Sequence, residues 1–209
     1  MAVKDADSTS PDKLVDKPDP SGHRRRLLQG MARSVAAKGY AETTLADIVR
    51  EANVSRRTFY EHFRDKPDCL IALYEAANRS ALQGVREAID VGKPWPEQVQ
   101  AGLKAYFSQL AANPVLTRAL FVDILHLGTP GQQARRKAFD ELAEFIVEVA
   151  RPGSRARSRL PRDHALAVVG AINELVLERL ETEVVGLSAA RKLEALAPLC
   201  AQLVERLAD

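Results

Sequence analysis

Arg56, Arg57, Thr58, Tyr60 and His62 bring two guanidinium forks, two hydroxyls and an imidazole together within a seven-residue stretch. Arginine forks read guanine edges, a threonine methyl meets a thymine methyl, and hydroxyl or imidazole groups bond phosphate oxygens. Phe59 and Phe63 are four residues apart, so in a helix they bury together and leave the polar set on the opposite surface. A short helix that is cationic, hydroxylated and aromatic on one face suits the major groove of DNA.

The segment Thr43 to Lys66, TTLADIVREANVSRRTFYEHFRDK, must hold that helix in place. Leu45, Ile48, Val49 and Ala52 recur at helical spacing, predicting a preceding helix with one apolar face. Thr44 and Asp47 form a capping box at its start. Asn53 is suited to the left-handed backbone that ends it, Val54 plugs the turn, and Ser55 caps the second helix. Two short helices joined by a tight turn predict a helix-turn-helix.

The order Gly39-Tyr40, Thr43-Thr44-Leu45, Ile48, Ala52-Asn53-Val54-Ser55, Thr58-Phe59-Tyr60, His62-Phe63 and Lys66 resembles the DNA-binding domain of the tetracycline-repressor (TetR) family. Two positions depart from the family pattern: Asn53 stands where glycine is usual in the turn, and Arg57 where glycine commonly precedes the threonine. The first keeps a left-handed backbone at some cost. The second adds a side chain that alters base preference or phosphate contact. The resemblance implies an all-α protein, with an N-terminal three-helix helix-turn-helix domain and a larger helical domain for ligand binding and dimerisation. The expected DNA-contacting set is Thr44, Ser55, Arg56, Arg57, Thr58, Tyr60, His62 and Lys66. The resemblance gives Lys66 a place on the DNA backbone.

Charge agrees with that placement. The net charge of +2 is unevenly distributed: residues 21–66 carry ten basic and five acidic side chains, against three and five in residues 1–20 and seventeen and eighteen in the remainder. Positive charge is thus concentrated where phosphates would be met. Abundant alanine and leucine with few aromatics favour helix. Cys69 and Cys200 fit no metal or redox spacing and are expected as buried thiols in a reducing cytoplasm. There is no run of eighteen apolar residues and no signal-peptide core, so the expectation is a soluble cytoplasmic protein without a membrane partner.

Residues 1–20, rich in aspartate, lysine and proline, are expected as a disordered tail. The helix-turn-helix domain is expected over 21–66, with a first helix capped by Ser21, ending at Gly39 and bearing Arg24, Arg25 and Arg26 at its start. Residues 67–209 form the second domain. It opens with a helix from Pro67 to Asp90, roughly 36 Å long at 1.5 Å per residue. Gly92, Pro94 and Pro96 mark a boundary, and Trp95 is expected there as a packing anchor. Five helical stretches follow: one ending at Asn113, one from Pro114 that Gly128 and Pro130-Gly131 terminate, one through Phe139, one from Pro161 to about Val185, and one from Ser188 to Leu207 bent by Pro198. Between the third and fourth, Arg151 to Arg162 is expected as a solvated linker.

One helix-turn-helix reads too few base pairs to find a genomic site, so a homodimer on a (pseudo)palindromic DNA operator is expected, through the last two helices. The resemblance further implies a small-molecule effector, mostly apolar, in a cavity between the middle helices. Tyr106, Phe107, Phe121, His126, Phe139, Asn173 and Glu174 are the candidates for its wall. No phosphate loop, paired-histidine zinc motif or nucleophile elbow is present, so an enzyme, a cofactor and a metal site are not expected. Asp123 and His126, one turn apart, are expected as a hydrogen-bonded pair rather than metal ligands. The alternative from another class is a ligand-independent structural or architectural DNA-binding dimer.

Overall fold

The computed structural model describes residues 22–149, 160–182 and 187–208, and every regular element among them is helical. The chain folds as α1 (His23–Glu42), α2 (Leu45–Ala52), α3 (Arg56–His62), α4 (Lys66–Ala88), α5 (Trp95–Ala112) and α6 (Pro114–Phe121). A 3-10 turn (Asp123–Leu127) leads into α7 (Gly128–Val149), followed by α8 (Arg162–Thr182), α9 (Leu187–Glu194) and α10 (Leu196–Ala208). The expected tail 1–20, the cap Ser21 and most of the arginine-rich linker lie outside the described residues.

The N-terminal head is built around Leu27, Leu28, Met31, Ile48 and Phe59, all buried. The same core continues through Cys69, Leu70 and Leu73 of α4 and reaches Ala119 and Leu120 of α6. The first turns of α4 therefore belong to the packing of the head while its remainder runs into the body. A second core gathers Phe107, Val168, Val176, Leu180, Leu193 and Cys200 from α5 and α8 to α10, and a third joins α7 to α8 around Ala143, Ala165 and Val169. Both cysteines are buried free thiols, and burial pushes the Cys200 thiol up to about 11.

Close approach of α1 and α2 depends on Gly30. A Cβ there would lie 2.6 Å from the Ile48 carbonyl oxygen and 2.9 Å from the Ala52 nitrogen, both backbone atoms. Glycine within a helical pattern is a signal of such a crossing.

Several boundaries differ from expectation for identifiable reasons. At the start of α1 the cap position is Gly22, with φ 66°. The helix passes Gly39, whose φ of 80° and ψ of 165° kink it, and ends at Glu42. Gly128 to Gly131 does not interrupt the chain but opens α7: Pro130 lies in the first turn, where a missing N–H had no partner to lose. The last stretch is two helices rather than one bent helix. Pro198 is the third residue of α10, so its ring would clash with the Glu194 carbonyl if α9 continued, and the break falls at Ala195.

Candidate nucleic-acid interface and central cavity

The turn that aims α3 is held by a closed set of local hydrogen bonds. Asp47 N–H donates to Thr44 Oγ1 (3.2 Å) and Thr44 N–H donates to Asp47 Oδ2 (2.9 Å), completing the capping box. Lys38 Nζ (2.5 Å) and Arg50 (2.9 Å) also reach the Asp47 carboxylate. Hydrogen bonds from Lys38 first, then Thr44, and also Arg50, hold its pKa far below the usual carboxylate range. At the other end of α2, Asn53 has φ 50° and ψ 51°, the left-handed conformation. Val54 N–H reaches back to the Val49 carbonyl at 3.1 Å, closing a Schellman-type end. Ser55 Oγ then accepts from Thr58 N–H (3.0 Å) and starts α3.

On α3, Phe59 is fully buried and Phe63 nearly so, their ring centroids 5.6 Å apart. This anchors the inner side. Arg56 and Arg57 are exposed, Tyr60 is 54% exposed, and Thr58 and His62 are half-buried at the flanks. Arg57 lies along Glu61 (3.3 Å), an exposed i,i+4 pair that water screens strongly. Thr44 and Ser55 are exposed caps at the two ends of the turn. His62 meets His23 of α1 edge-on at 6.1 Å, and Arg24 lies 5.4 Å over the Phe63 ring.

Lys66 is engaged within the head. Its ammonium donates to the carbonyls of Tyr40 (3.0 Å) and Thr43 (2.9 Å) and lies 4.2 Å from the Tyr40 ring centre. Those carbonyls lie at the end of α1, where the Tyr40 oxygen also accepts from Thr43 N–H (3.2 Å), so the first residue of α4 helps cap the last turn of α1. Lys66, expected on the DNA backbone, here makes an internal clasp between two helices. Burial lowers its pKa and pushes the Tyr40 hydroxyl up to about 12.

A cavity of about 170 Å³ lies between α4, α5, α7 and α8, walled almost entirely by apolar groups. Along α4 its wall is Tyr74, Ala77, Asn78, Ala81, Leu82 and Val85, and Ile89 extends the same stripe. Tyr106, Phe121, Phe139 and Asn173, four of the seven candidates, share it. Phe107, His126 and Glu174 do not. Successive helical residues point about 100° apart, and here Tyr106 and Asn173 face the space while their neighbours Phe107 and Glu174 turn away from it. Phe107 is buried on the opposite side of α5 among α8 to α10, while His126 and Glu174 are exposed. Asp123 pairs with Arg118 (3.6 Å) in place of the expected hydrogen bond with His126. Among the described residues no cluster could hold a metal ion.

Three polar groups around the cavity were not legible as a set. Trp95 opens α5, and its Nε1, Asn173 Nδ2 and Arg135 Nε are buried without a hydrogen-bond partner among the described residues. Tyr74 also lines the space, its hydroxyl pushed up to about 12 mainly by burial. Tyr74 and Asn78 could have been found from their place on the apolar stripe of α4. Arg135 stands in a polar run, QQARRK, and carries no such signal.

An anchored short helix with an exposed cationic and aromatic face, set by a capped turn, defines a helix-turn-helix DNA-binding protein. Residues 27–73 match the family described as bacterial regulatory proteins, tetR family. The match spans the helix-turn-helix segment and the first turns of α4, so this part of the chain is similar to the DNA-binding domain of that family. Among curated relatives, the HTH-type transcriptional regulator EthR of Mycolicibacterium smegmatis is 28% identical over 103 residues, 48% of each protein. The chain thus spans about half the length of that relative. Similar solved structures include the fatty acid degradation regulator FadR from Bacillus halodurans, with TM-score 0.68, 20% identity and coverage of 90% of this chain and 96% of that one. FadR from Bacillus subtilis, solved in complex with stearoyl-CoA, aligns with TM-score 0.57 and 17% identity over 86% and 96%. No single helix among the described residues is long and apolar enough to cross a membrane.

Proposed function

We propose that the protein is a dimeric repressor that grips a (pseudo)palindromic operator through α3 and is released when a small, mostly apolar molecule enters the central cavity. The observation that carries this reading is the opposition on α3, where Phe59 and Phe63 are locked inside while Arg56, Arg57 and Tyr60 face out. In this account Arg56, Arg57, Thr58 and Tyr60 address base edges, and Thr44, Ser55 and His62 address phosphates.

Dimerisation rests on geometry and on the outer face of α8 and α10. Two reading heads must sit roughly 34 to 36 Å apart to meet successive major grooves. Ala167 and Glu174 of α8 and Pro198 and Leu199 of α10 are exposed, and a Cβ at Gly170 would meet nothing within 4 Å. Small side chains of this kind let a second pair of helices approach closely, forming a four-helix interface.

Release follows from the position of α4. Tyr74 to Val85 wall the cavity, and Lys66 of the same helix clasps the end of α1. An occupant that shifts α4 therefore moves the head with it, provided it binds the shifted state more tightly. The similarity in fold to a regulator solved with stearoyl-CoA supports a lipophilic occupant. Selection of bound fragments from genomic DNA tests the reading: two inverted half-sites about one helical turn apart are expected. Fragments sharing no half-site would oppose it, and a DNA complex unaffected by any lipophilic compound would favour an architectural protein.

A further inference from the structure

The cavity is long and thin, and its charge is one-sided. Its stripe on α4 runs from Tyr74 to Ile89, about 22 Å at 1.5 Å per residue, yet its volume is only about 170 Å³. Such a slot accepts an extended hydrocarbon chain. Position along it can be read from α7, which runs parallel to α4. Lys137 pairs with Glu75 (3.0 Å), Asn78 with Glu141 (3.4 Å) and Arg86 with Glu148 (2.7 Å), each 62 or 63 residues apart. Arg135 is therefore level with Tyr74, at the end of the slot nearest the DNA-binding head.

The Arg135 guanidinium lies 4.3 Å over the Phe139 ring, and no carboxylate among the described residues is within ion-pairing distance of it. Its Nε is buried without a partner among those residues, and a buried N–H donor is costly until an acceptor meets it. Its fork matches a carboxylate. Asn173, only 8% exposed, aims a second unmet donor at the same space. Donors without acceptors call for an occupant that brings oxygen.

Resting on the effector reading above, we propose that the occupant is a linear amphipath ending in a free carboxylate, its head on Arg135 beside Tyr74 and its chain directed along α4 toward Ile89. Charge neutralisation then occurs at the end of α4 that is clasped to the head.

Trp95 is the sole tryptophan of the chain and lines the slot, so its emission reports occupancy. Full-length protein is titrated with decanoate and with 1-decanol, as wild type, Arg135→Gln and Arg135→Lys. Wild type should favour the acid by about tenfold or more, the worth of one charge-assisted pair. Arg135→Gln should lose that preference while binding the alcohol unchanged, which also shows that it folds, and Arg135→Lys should keep part of it. Equal binding of acid and alcohol by wild type would overturn the carboxylate assignment and leave the cavity as an effector site. A Trp95 signal that responds to neither compound would overturn both.

Discussion

The turn between α2 and α3 and the cavity beside α4 treat polar groups in opposite ways. In the turn, Thr44, Asp47, Ser55 and Thr58 satisfy one another or the backbone, and even Lys66 is spent on two carbonyls. Around the cavity, donors of Trp95, Arg135 and Asn173 are buried and unmet. On the proposed reading, the surface offered to DNA has its local bonds closed, whereas the cavity proposed to accept an effector keeps donors open. The long helix α4 belongs to both.

The first way to break this comparison is to spoil the fixed half. Gly30→Val places a side chain against the backbone of Ile48 and Ala52, forcing α1 and α2 apart. A loss of about 3 kcal/mol is expected in chemical denaturation, at the upper end for overpacking. An unchanged midpoint would mean that the crossing is looser than described. Next in size, Arg56→Ala and Arg57→Ala should each weaken operator binding by about 1 to 3 kcal/mol if the guanidinium reads a base, and relax specificity at one base pair. Fluorescence anisotropy on operator variants checks this, since equal loss on every sequence would assign the residue to phosphate.

The open half should answer in the other direction. Asn173→Leu replaces a buried unmet amide by an apolar group of similar size, and a gain of about 1 kcal/mol is expected in thermal unfolding, because an unsatisfied donor carries a desolvation penalty. A loss of stability there would show that the amide has a partner. The smallest effect is expected at Asn53. With φ at 50°, Asn53→Gly should be neutral or stabilising by about 0.5 kcal/mol, while Asn53→Val should destabilise. Matched stabilities of the two variants would argue against the left-handed turn.

The same contrast explains what the sequence made legible. Caps, the turn and the buried face of α3 follow from contacts within a few residues, so Thr44, Asn53, Ser55, Phe59 and Phe63 could be placed from spacing alone. The cavity wall is drawn from helices far apart in the chain, and its candidates were chosen by residue type. Type does not fix the angle about a helix, and so Phe107 and Glu174 were taken with their neighbours Tyr106 and Asn173. Arg135 was hidden because a surface run of basic residues and a run with one member turned inward look alike until α7 is laid beside α4. Lys66 was placed on DNA by resemblance, and its contacts with carbonyls more than twenty residues earlier were not legible from spacing.

The central claim is that two heads act together on one duplex through charge held in the N-terminal segment. Anisotropy of a labelled, genomically selected duplex, titrated across a range of salt, tests it most directly. If two protomers bind and together neutralise about eight phosphates, log K against log salt should fall with a slope of about −7. One protomer per duplex with affinity indifferent to salt would contradict the account.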